Sequence, residues 1–230
     1  MQTINVNNIN SYYGKKEILK NVSFQANKGE CIGILGYNGC GKSTLLSILA
    51  GVQKPKNGQI TYCNEIAYSK EQNRYNKNLF NTMIGYVPQE NPLIPELSVY
   101  DNLSLWFKNK ETLDSSLKNG FLHTLGIHEY VKKKVSQLSG GMKKRVSIAI
   151  ATIYNPQILI LDEPSAALDL SCKEDIKDYL KNYLEQGKNV IITTHEDNEL
   201  ELCDKIYVLK NGVLKEVNNK LRGKELVKEF

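Results

Sequence analysis

Eight residues in the first quarter of the chain have the types and spacing to bind phosphate groups. Residues 36–43 read GYNGCGKS, which fits the pattern G-x-x-x-x-G-K-[ST]. Glycines lack Cβ, so the backbone can bend around phosphates and approach them closely. Lys42 can reach the β- and γ-phosphates of a triphosphate, and Ser43 can offer its hydroxyl to Mg²⁺. The alternative interpretation is a glycine-rich turn that fits the pattern by chance.

The residues on either side favour phosphate binding. Residues 31–35 form a short apolar run that predicts a buried strand, and the apolar residues within 45–49 follow helical spacing. The order strand, glycine loop, helix places the loop at a helix N-terminus. Unpaired N–H groups and the helix dipole make that end attractive to anions.

Two carboxylates follow another predicted strand. Residues 157–161 are aliphatic without alternation, which is typical of a parallel strand covered on both faces, and Asp162 and Glu163 come directly after them. Ligands of open α/β sheets bind at the carboxyl ends of the strands. Asp162 can therefore hold Mg²⁺, and Glu163 can accept a proton from an attacking water. The alternative is a strand that simply ends in solvent.

Two more polar residues end predicted strands. Gln89 follows the strand at 83–87 and can bind Mg²⁺ or water, or be an ordinary loop glutamine. His195 follows the strand at 189–194, and a structural and a functional role both remain open.

A helix start at Ser139 carries two glycines in its first turn. Ser139 is a favoured N-cap residue, and Val146, Ala149 and Ile150 give the following helix a core face. Each glycine inside a helix costs roughly 0.5–1 kcal/mol relative to alanine. The pair therefore suits close approach by an anion better than it suits stability, although a simple cap is the alternative.

Length and composition limit the class of protein. The chain has 230 residues, 41% of them apolar, which suits one substantial core. It contains no run of about 18 apolar residues and no recognisable signal peptide. The five cysteines include no C-x-x-C pair, which favours a reducing compartment. The net charge of +5 follows a general abundance of lysine, so no nucleic-acid partner is expected.

The remaining segments predict the supporting elements. Strands are expected at 2–7 and 18–27. In the loop between them, Tyr12 and Tyr13 either supply a ring that stacks on a base or form an ordinary surface pair. Residues 63–82 are expected to be an irregular surface excursion, and residues 93–135 a small helical lobe. Ser171 and Glu174 predict a capping box that opens a further helix.

In this order the segments resemble the nucleotide-binding subunit of ABC transporters. Residues 36–44 look like Walker A, and 158–163 like Walker B followed by the catalytic glutamate. Residues 138–142 (LSGGM) look like the ABC signature, in which Gln usually stands at the position of Met142. Gln89 matches the Q-loop, residues 165–169 match the D-loop, His195 the switch histidine and Tyr13 the adenine-stacking aromatic.

The resemblance implies an α/β fold. The expected architecture is a P-loop NTPase with a mainly parallel core sheet, an N-terminal antiparallel β subdomain and a small helical subdomain. A single domain is expected over 1–230, with the helical subdomain at about 93–153.

The resemblance also assigns roles to residues, with ATP and Mg²⁺ as ligands. Glu163 and His195 are the expected catalytic residues, and Ser43, Gln89 and Asp162 are the expected metal ligands. Ser139, Gly140 and Gly141 are expected to face the ATP of a partner subunit. The expected ATP-binding residues are Tyr13, Gly36, Tyr37, Asn38, Gly39, Cys40, Gly41, Lys42, Ser43, Thr44 and Gln89.

The implied function is ATP hydrolysis that powers transport through a separate transmembrane permease subunit, with export expected from an ABC-2-type system. A second nucleotide-binding subunit, identical or paralogous, would complete two ATP sites. The expected location is cytoplasmic and peripheral, at the inner face of the cell membrane, with Trp106 and its apolar neighbours as the docking surface. The competing class is a soluble ABC ATPase without transport, such as a cofactor-assembly scaffold. The LSGGM segment argues against a generic P-loop kinase.

Overall fold

The computed structural model describes residues 2–230, in which strands and helices form two sheets and a helical lobe. The strands are β1 (Gln2–Tyr13), β2 (Lys16–Asn27), β3 (Cys31–Leu35), β4 (Asn57–Tyr62), β5 (Glu65–Ser69), β6 (Arg74–Tyr75), β7 (Ile84–Val87), β8 (Ile158–Asp162), β9 (Asn189–Thr193), β10 (Lys205–Lys210) and β11 (Val213–Val217). The helices are α1 (Lys42–Leu49), α2 (Lys77–Met83), α3 (Val99–Ser104), α4 (Lys110–Asn119), α5 (Phe121–Thr124), α6 (Gly140–Thr152), α7 (Leu170–Glu185), α8 (Asp197–Leu200) and α9 (Gly223–Val227).

The larger sheet has six strands in the order β11-β10-β3-β9-β8-β7. All neighbouring pairs are parallel except β10 and β11, which form a hairpin at Asn211-Gly212 as the sequence predicts. Every residue of β3, β8 and β9 is buried, which explains why these strands read as continuous apolar runs. The predicted α/β class with a mainly parallel core sheet is confirmed.

The second sheet is antiparallel, in the order β2-β1-β4-β5-β6. Helix α1 packs between the two sheets, and its Leu45, Leu46 and Ile48 side chains lie in one core cluster with residues of both. Because α1 is anchored on both sides, the loop that precedes it is held in a fixed position at the edge of the larger sheet.

The tip of the first hairpin differs from the sequence interpretation. Strand β1 continues to Tyr13, which pairs with Lys16, so the predicted loop is only a tight turn at Gly14 with φ +59°. Tyr12 and Tyr13 at the end of β1 are both exposed, so the alternation of buried and exposed residues that marks a strand stops before the strand does.

The prediction of an irregular excursion at residues 63–82 is wrong. That range contains β5, β6 and nearly all of α2. Its ordering comes from distant partners: β5 pairs with β4, the Tyr68 hydroxyl donates to Pro55 O at 3.0 Å, and Phe80 packs on Tyr62. A short local pattern does not show such partners.

Four helices, α3 to α6, fall within the range in which the sequence predicts a helical subdomain, and they share a core cluster of their own that includes Leu103, Leu122 and Val146. The predicted capping box at Ser171 is wrong, because α7 begins two residues earlier, where the Asp169 carboxylate accepts the Cys172 N–H at 2.9 Å. Across residues 2–230, no helix combines the length and the apolar character that a membrane span needs.

Candidate active site

Four adjacent parallel strands bring the predicted site residues to one edge of the larger sheet. The strand order β3-β9-β8-β7 places the carboxyl ends of these strands side by side. The glycine loop leaves β3, Asp162 ends β8, and Gln89 lies just past β7. The segment containing His195 follows β9, which lies between β3 and β8 in the sheet. The fold therefore supplies the edge at which α/β proteins bind ligands.

The glycine loop has a backbone that only glycine tolerates at two points. Gly36 has φ +147°, and a Cβ there would lie 2.5 Å from the carbonyl oxygen of Leu209. Gly41, at the N-cap of α1, has φ +114° and provides no side-chain cap. The first N–H groups of α1 consequently remain available to a ligand, which is the arrangement that favours phosphate.

Lys42 is folded back over this loop. Its Nζ donates to Gly36 O at 2.8 Å and lies 3.4 Å from Tyr37 O, and the side chain is buried. The ammonium group is thus held at the mouth of the loop by backbone carbonyls.

Glu163 lies at the centre of the polar groups at this edge. Its Oε1 is 3.9 Å from Lys42 Nζ and 3.7 Å from His195 Nε2. Its Oε2 accepts a hydrogen bond from Gln89 Nε2 at 3.2 Å. The Glu163 side chain is largely buried and His195 is half exposed. Three residues predicted separately from three strand ends therefore surround one carboxylate.

The backbone of Glu163 is strained, with φ +46° in the left-handed region. Such a conformation costs of order 1–3 kcal/mol for a non-glycine residue and persists only where the surroundings fix it. Here the Glu163 N–H donates to Thr193 O at 3.1 Å and to Thr193 Oγ1 at 3.0 Å.

Thr193 also fixes the neighbouring acid, and sequence reasoning missed it. Its hydroxyl donates to Asp162 Oδ1 at 2.6 Å, and Asp162 is almost completely buried. Asp162 and Thr193 are partners in the β8–β9 ladder. The signal for Thr193 is thus the strand register, which the sequence does not reveal without the fold.

Most of the predicted ATP-binding residues line one cleft of about 460 Å³, a size within the usual range of ligand sites. Tyr13 stands at its rim with 84% of its surface exposed. The residues that line the cleft are Tyr13, Ile18, Asn38, Gly39, Gly41, Lys42, Ser43, Thr44, Gln89 and Glu163.

Tyr37 and Cys40 lie apart from that cleft. They line a separate cleft on the other side of the loop, together with Lys210 of β10. The Tyr37 ring packs edge-on against Phe230 with ring centroids 5.5 Å apart. Neither residue is therefore among those that line the cleft expected to hold phosphate.

The predicted signature residues start α6 as expected but do not line the cleft. The Ser139 hydroxyl accepts the Met142 N–H at 3.3 Å, and Ser139 and Gly140 are exposed. Gly141 is buried, and a Cβ there would lie 2.4 Å from Cys172 Sγ on α7. Packing against α7 therefore explains the second glycine without any approach by an anion.

The residues expected to hold Mg²⁺ have suitable chemistry. The hydroxyl of Ser43, the amide of Gln89 and the carboxylate of Asp162 are hard oxygen donors, which Mg²⁺ prefers when substrate phosphates complete its shell. Residues 2–230 contain no cluster of three or more His, Cys, Asp or Glu that would form an all-protein metal site. The donor set thus fits a metal that arrives with a nucleotide.

A family model described as ABC transporter matches residues 19–166 of the chain. The linearmycin resistance ATP-binding protein LnrL of Bacillus subtilis is 36% identical over 93% of this chain and 68% of its own length. The Nod factor export ATP-binding protein I of Rhizobium etli is 36% identical over 92% and 66%. The Fe(3+) ions import ATP-binding protein FbpC 2 of Haemophilus influenzae is 33% identical over 94% and 61%. The chain thus spans about three fifths to two thirds of the length of these relatives.

Solved structures give the same answer for the fold. A dimeric ATP-binding cassette in a post-hydrolysis state, bound to ADP and Pi, superposes with a TM-score of 0.79 at 32% identity, covering 96% of this chain and 99% of that one. A nucleotide-free ATP-binding cassette from an ABC transporter superposes with a TM-score of 0.78 at 27% identity, covering 100% and 94%. These matches show that this chain belongs to the ABC transporter family, as an ATP-binding subunit that hydrolyses ATP.

Proposed function

We propose that two copies of this chain, or this chain and a paralogue, close on two ATP molecules and use their hydrolysis to export a substrate through a separate membrane subunit. The observation that carries the proposal is the position of Glu163, held between Lys42, Gln89 and His195 beside the phosphate-binding loop. Such a carboxylate is placed to act on a water next to a terminal phosphate.

Binding is the task of the glycine loop. In this proposal its N–H groups and Lys42 hold the phosphates, and the ring of Tyr13 stacks on the adenine. Ser43, Gln89 and Asp162 would hold Mg²⁺, which would supply positive charge to neutralise the phosphates.

Hydrolysis is the task of Glu163. Its carboxylate accepts a proton from a water while the water oxygen attacks the γ-phosphorus in line. The bond from the γ-phosphorus to the bridging oxygen breaks, and ADP and phosphate leave. His195 donates a hydrogen bond to the γ-phosphate, and Thr193 keeps both strand-end acids in place through its hydroxyl and carbonyl.

A second subunit is proposed because the signature residues do not reach the cleft of their own chain. Ser139 and Gly140 are exposed at the start of α6, where they can cover the nucleotide of another copy. A similar cassette with ADP and Pi is dimeric. ATP would then hold two surfaces together, and hydrolysis would let them part.

The membrane partner is proposed to dock on apolar side chains of the helical lobe. Leu105 is 62%, Trp106 45% and Tyr154 66% exposed, and the Tyr154 hydroxyl donates to Trp106 O at 2.6 Å. We place the subunit on the cytoplasmic side, peripheral to the membrane. Export is proposed because the short segment between Gln89 and Ser139 and the sequence LSGGMKKR resemble those of ABC-2-type exporters more than those of importers. The names of the relatives include both export and import systems.

The test is Glu163→Gln in the full chain. We expect turnover of ATP to fall about 10²–10⁴-fold, the usual contribution of a general base, while ATP binding persists and the dimer becomes stable in ATP. Turnover is measured as phosphate release, and the dimer by light scattering. Near-normal hydrolysis would remove Glu163 from the mechanism, and a variant that stays monomeric when saturated with ATP would rule out the two-copy site.

A further inference from the structure

Lys144 of α6 is a lysine whose side chain points into the protein. Only 5% of its surface is exposed, and its Nζ donates to Pro88 O at 3.3 Å and to Gln89 O at 3.2 Å. Both carbonyls belong to the segment 88–91 that follows β7. Burying an ammonium group is costly unless partners compensate it, so a lysine at this position needs an explanation beyond helix packing.

The electrostatic surroundings give part of that explanation. Burial lowers the pKa of Lys144, while the carboxylates of Asp162, Glu163 and Glu199 act in the opposite direction. The ammonium group therefore lies within reach of the field of the strand-end acids, although its hydrogen bonds go to backbone carbonyls.

Further contacts hold the same segment against α6. The Ser147 hydroxyl donates to Asn91 Oδ1 at 2.9 Å. Within β7, Gly85 lies so close to α6 that a Cβ would be 2.3 Å from Ala151 O. The end of β7 and the segment 88–91 thus contact α6 along three successive turns of the helix.

The segment 88–91 ends in the site at its other side. The Gln89 side chain donates to Glu163 Oε2 at 3.2 Å, and α6 begins at the exposed Ser139. A continuous path of contacts therefore runs from the start of α6 through Lys144 and Gln89 to Glu163.

We infer that Lys144 is a positioning residue: by holding the carbonyls of Pro88 and Gln89 to α6, it sets where the Gln89 side chain meets Glu163. The position of the signature helix then determines whether the hydrolytic carboxylate is correctly oriented. The inference rests on the proposed role of Glu163.

The test is Lys144→Met, which keeps most of the side-chain volume and removes the N–H donors. We expect kcat for ATP to fall about 10- to 100-fold, the cost of misplacing a reacting group by about 1 Å. The dissociation constant of a fluorescent ATP analogue, measured without Mg²⁺, should change by less than about twofold, because the glycine loop is untouched. Lys143→Met, a neighbouring lysine on the same helix, is the control and should behave as the wild type.

A double-mutant cycle separates positioning from simple stabilisation. Because Lys144 acts through Gln89, Lys144→Met should lower kcat by less than about twofold more in the Gln89→Ala background. If Lys144→Met lowers the melting temperature, Lys144→Gln carries the test: it keeps N–H donors and should recover part of kcat.

The inference would be overturned if Lys144→Met left kcat unchanged, or if it weakened nucleotide binding as much as it lowered kcat. It would also be overturned if Lys144→Met lowered kcat as much in the Gln89→Ala background as in the wild type, or if Lys144→Gln recovered none of the lost kcat. Glu163→Gln is measured alongside. Normal hydrolysis by that variant would instead overturn the proposed function, so the two failures are distinguishable.

Discussion

At the scale of single residues, Glu199 carries a buried carboxylate that the proposed mechanism does not use. Its Oε1 accepts the Ser165 hydroxyl at 2.5 Å, while Oε2 is buried without a hydrogen-bond partner among residues 2–230. Burial raises the pKa of Glu199, and the hydrogen bond from Ser165 only partly opposes this. The contact joins the loop after β8 to α8, which follows His195 in the chain.

The raised pKa has a definite consequence for stability. The folded chain holds the Glu199 proton more tightly than the unfolded chain, so the free energy of unfolding falls as pH rises from the ordinary value of 4.5 through the folded value. Glu199→Gln should therefore be more stable than the wild type at pH 7.5, by about 2–4 °C in melting temperature for each kcal/mol recovered. The gain should shrink as the pH falls toward 4.5.

Thermal unfolding across this pH range measures the effect, with Glu185→Gln at an exposed position of α7 as the control. A melting-temperature difference that does not depend on pH would show that the Glu199 carboxyl has the same pKa in the folded and unfolded chains.

The roles of site residues could be predicted from the sequence where a short local pattern carries the chemistry. The glycine loop and the acids at the end of β8 follow from such patterns, and the structure brings them together at one sheet edge. Thr193 could not be predicted, because its role depends on the register of β8 against β9. Lys144 reads as one more charge in a helix until the fold places it beside the carbonyl of Gln89.

At the scale of elements, the packing of α6 against α7 constrains the first turn of the signature helix. The sequence suggested that both glycines there serve an anion, but the structure separates them. A Cβ at Gly141 would lie 2.4 Å from Cys172 Sγ and 3.0 Å from Cys172 Cβ, whereas a Cβ at Gly140 would meet only the flexible end of Leu168 at 3.3 Å.

Gly141→Ala should consequently destabilise the chain by about 1–3 kcal/mol, the usual cost of overpacking, even though alanine is the better helix former. Urea unfolding gives the measurement, and Gly140→Ala is the matched control, expected to be neutral or slightly stabilising. Adding Cys172→Ala to Gly141→Ala should recover part of the loss, since it removes the sulfur at 2.4 Å. Equal stability of the two alanine variants would contradict this account.

Elements whose order comes from distant partners were the ones that sequence reasoning missed. Residues 63–82 contain β5, β6 and nearly all of α2 because β4 and distant aromatic contacts organise them. The N-cap of α7 is Asp169 rather than Ser171, because both residues are competent caps and local sequence does not decide between them. Strands β3, β8 and β9, which are buried on both faces, were predicted well because such burial requires a continuous apolar run that is visible in the sequence.

At the scale of the whole molecule, the proposed surfaces are formed by different elements of the chain. The cleft opens at the carboxyl edge of the larger sheet, the start of α6 is exposed, and the apolar patch of Leu105, Trp106 and Tyr154 lies on the helical lobe. Helix α6 belongs to the helical lobe and also binds the segment 88–91. We therefore expect a partner held by the lobe to bias the site without touching the nucleotide.

The patch gives a direct test of the transport assignment. Leu105→Asp places a charge on an exposed apolar side chain of the patch, where a partner would have to bury it unpaired. We expect recovery of the chain with the proposed polytopic membrane partner from native membranes to fall about tenfold or more, which corresponds to a loss of about 1.4 kcal/mol in binding. ATP hydrolysis by the isolated chain should stay unchanged, because the patch does not contact the cleft.

Val213→Asp, at an exposed aliphatic residue on β11, is the matched control and should co-purify normally. Undiminished recovery of Leu105→Asp would exclude this patch as the docking surface. A wild-type chain that purifies with a soluble scaffold and no membrane protein would overturn transport in favour of the assembly class of ABC ATPase, because nothing would then couple hydrolysis to a membrane subunit.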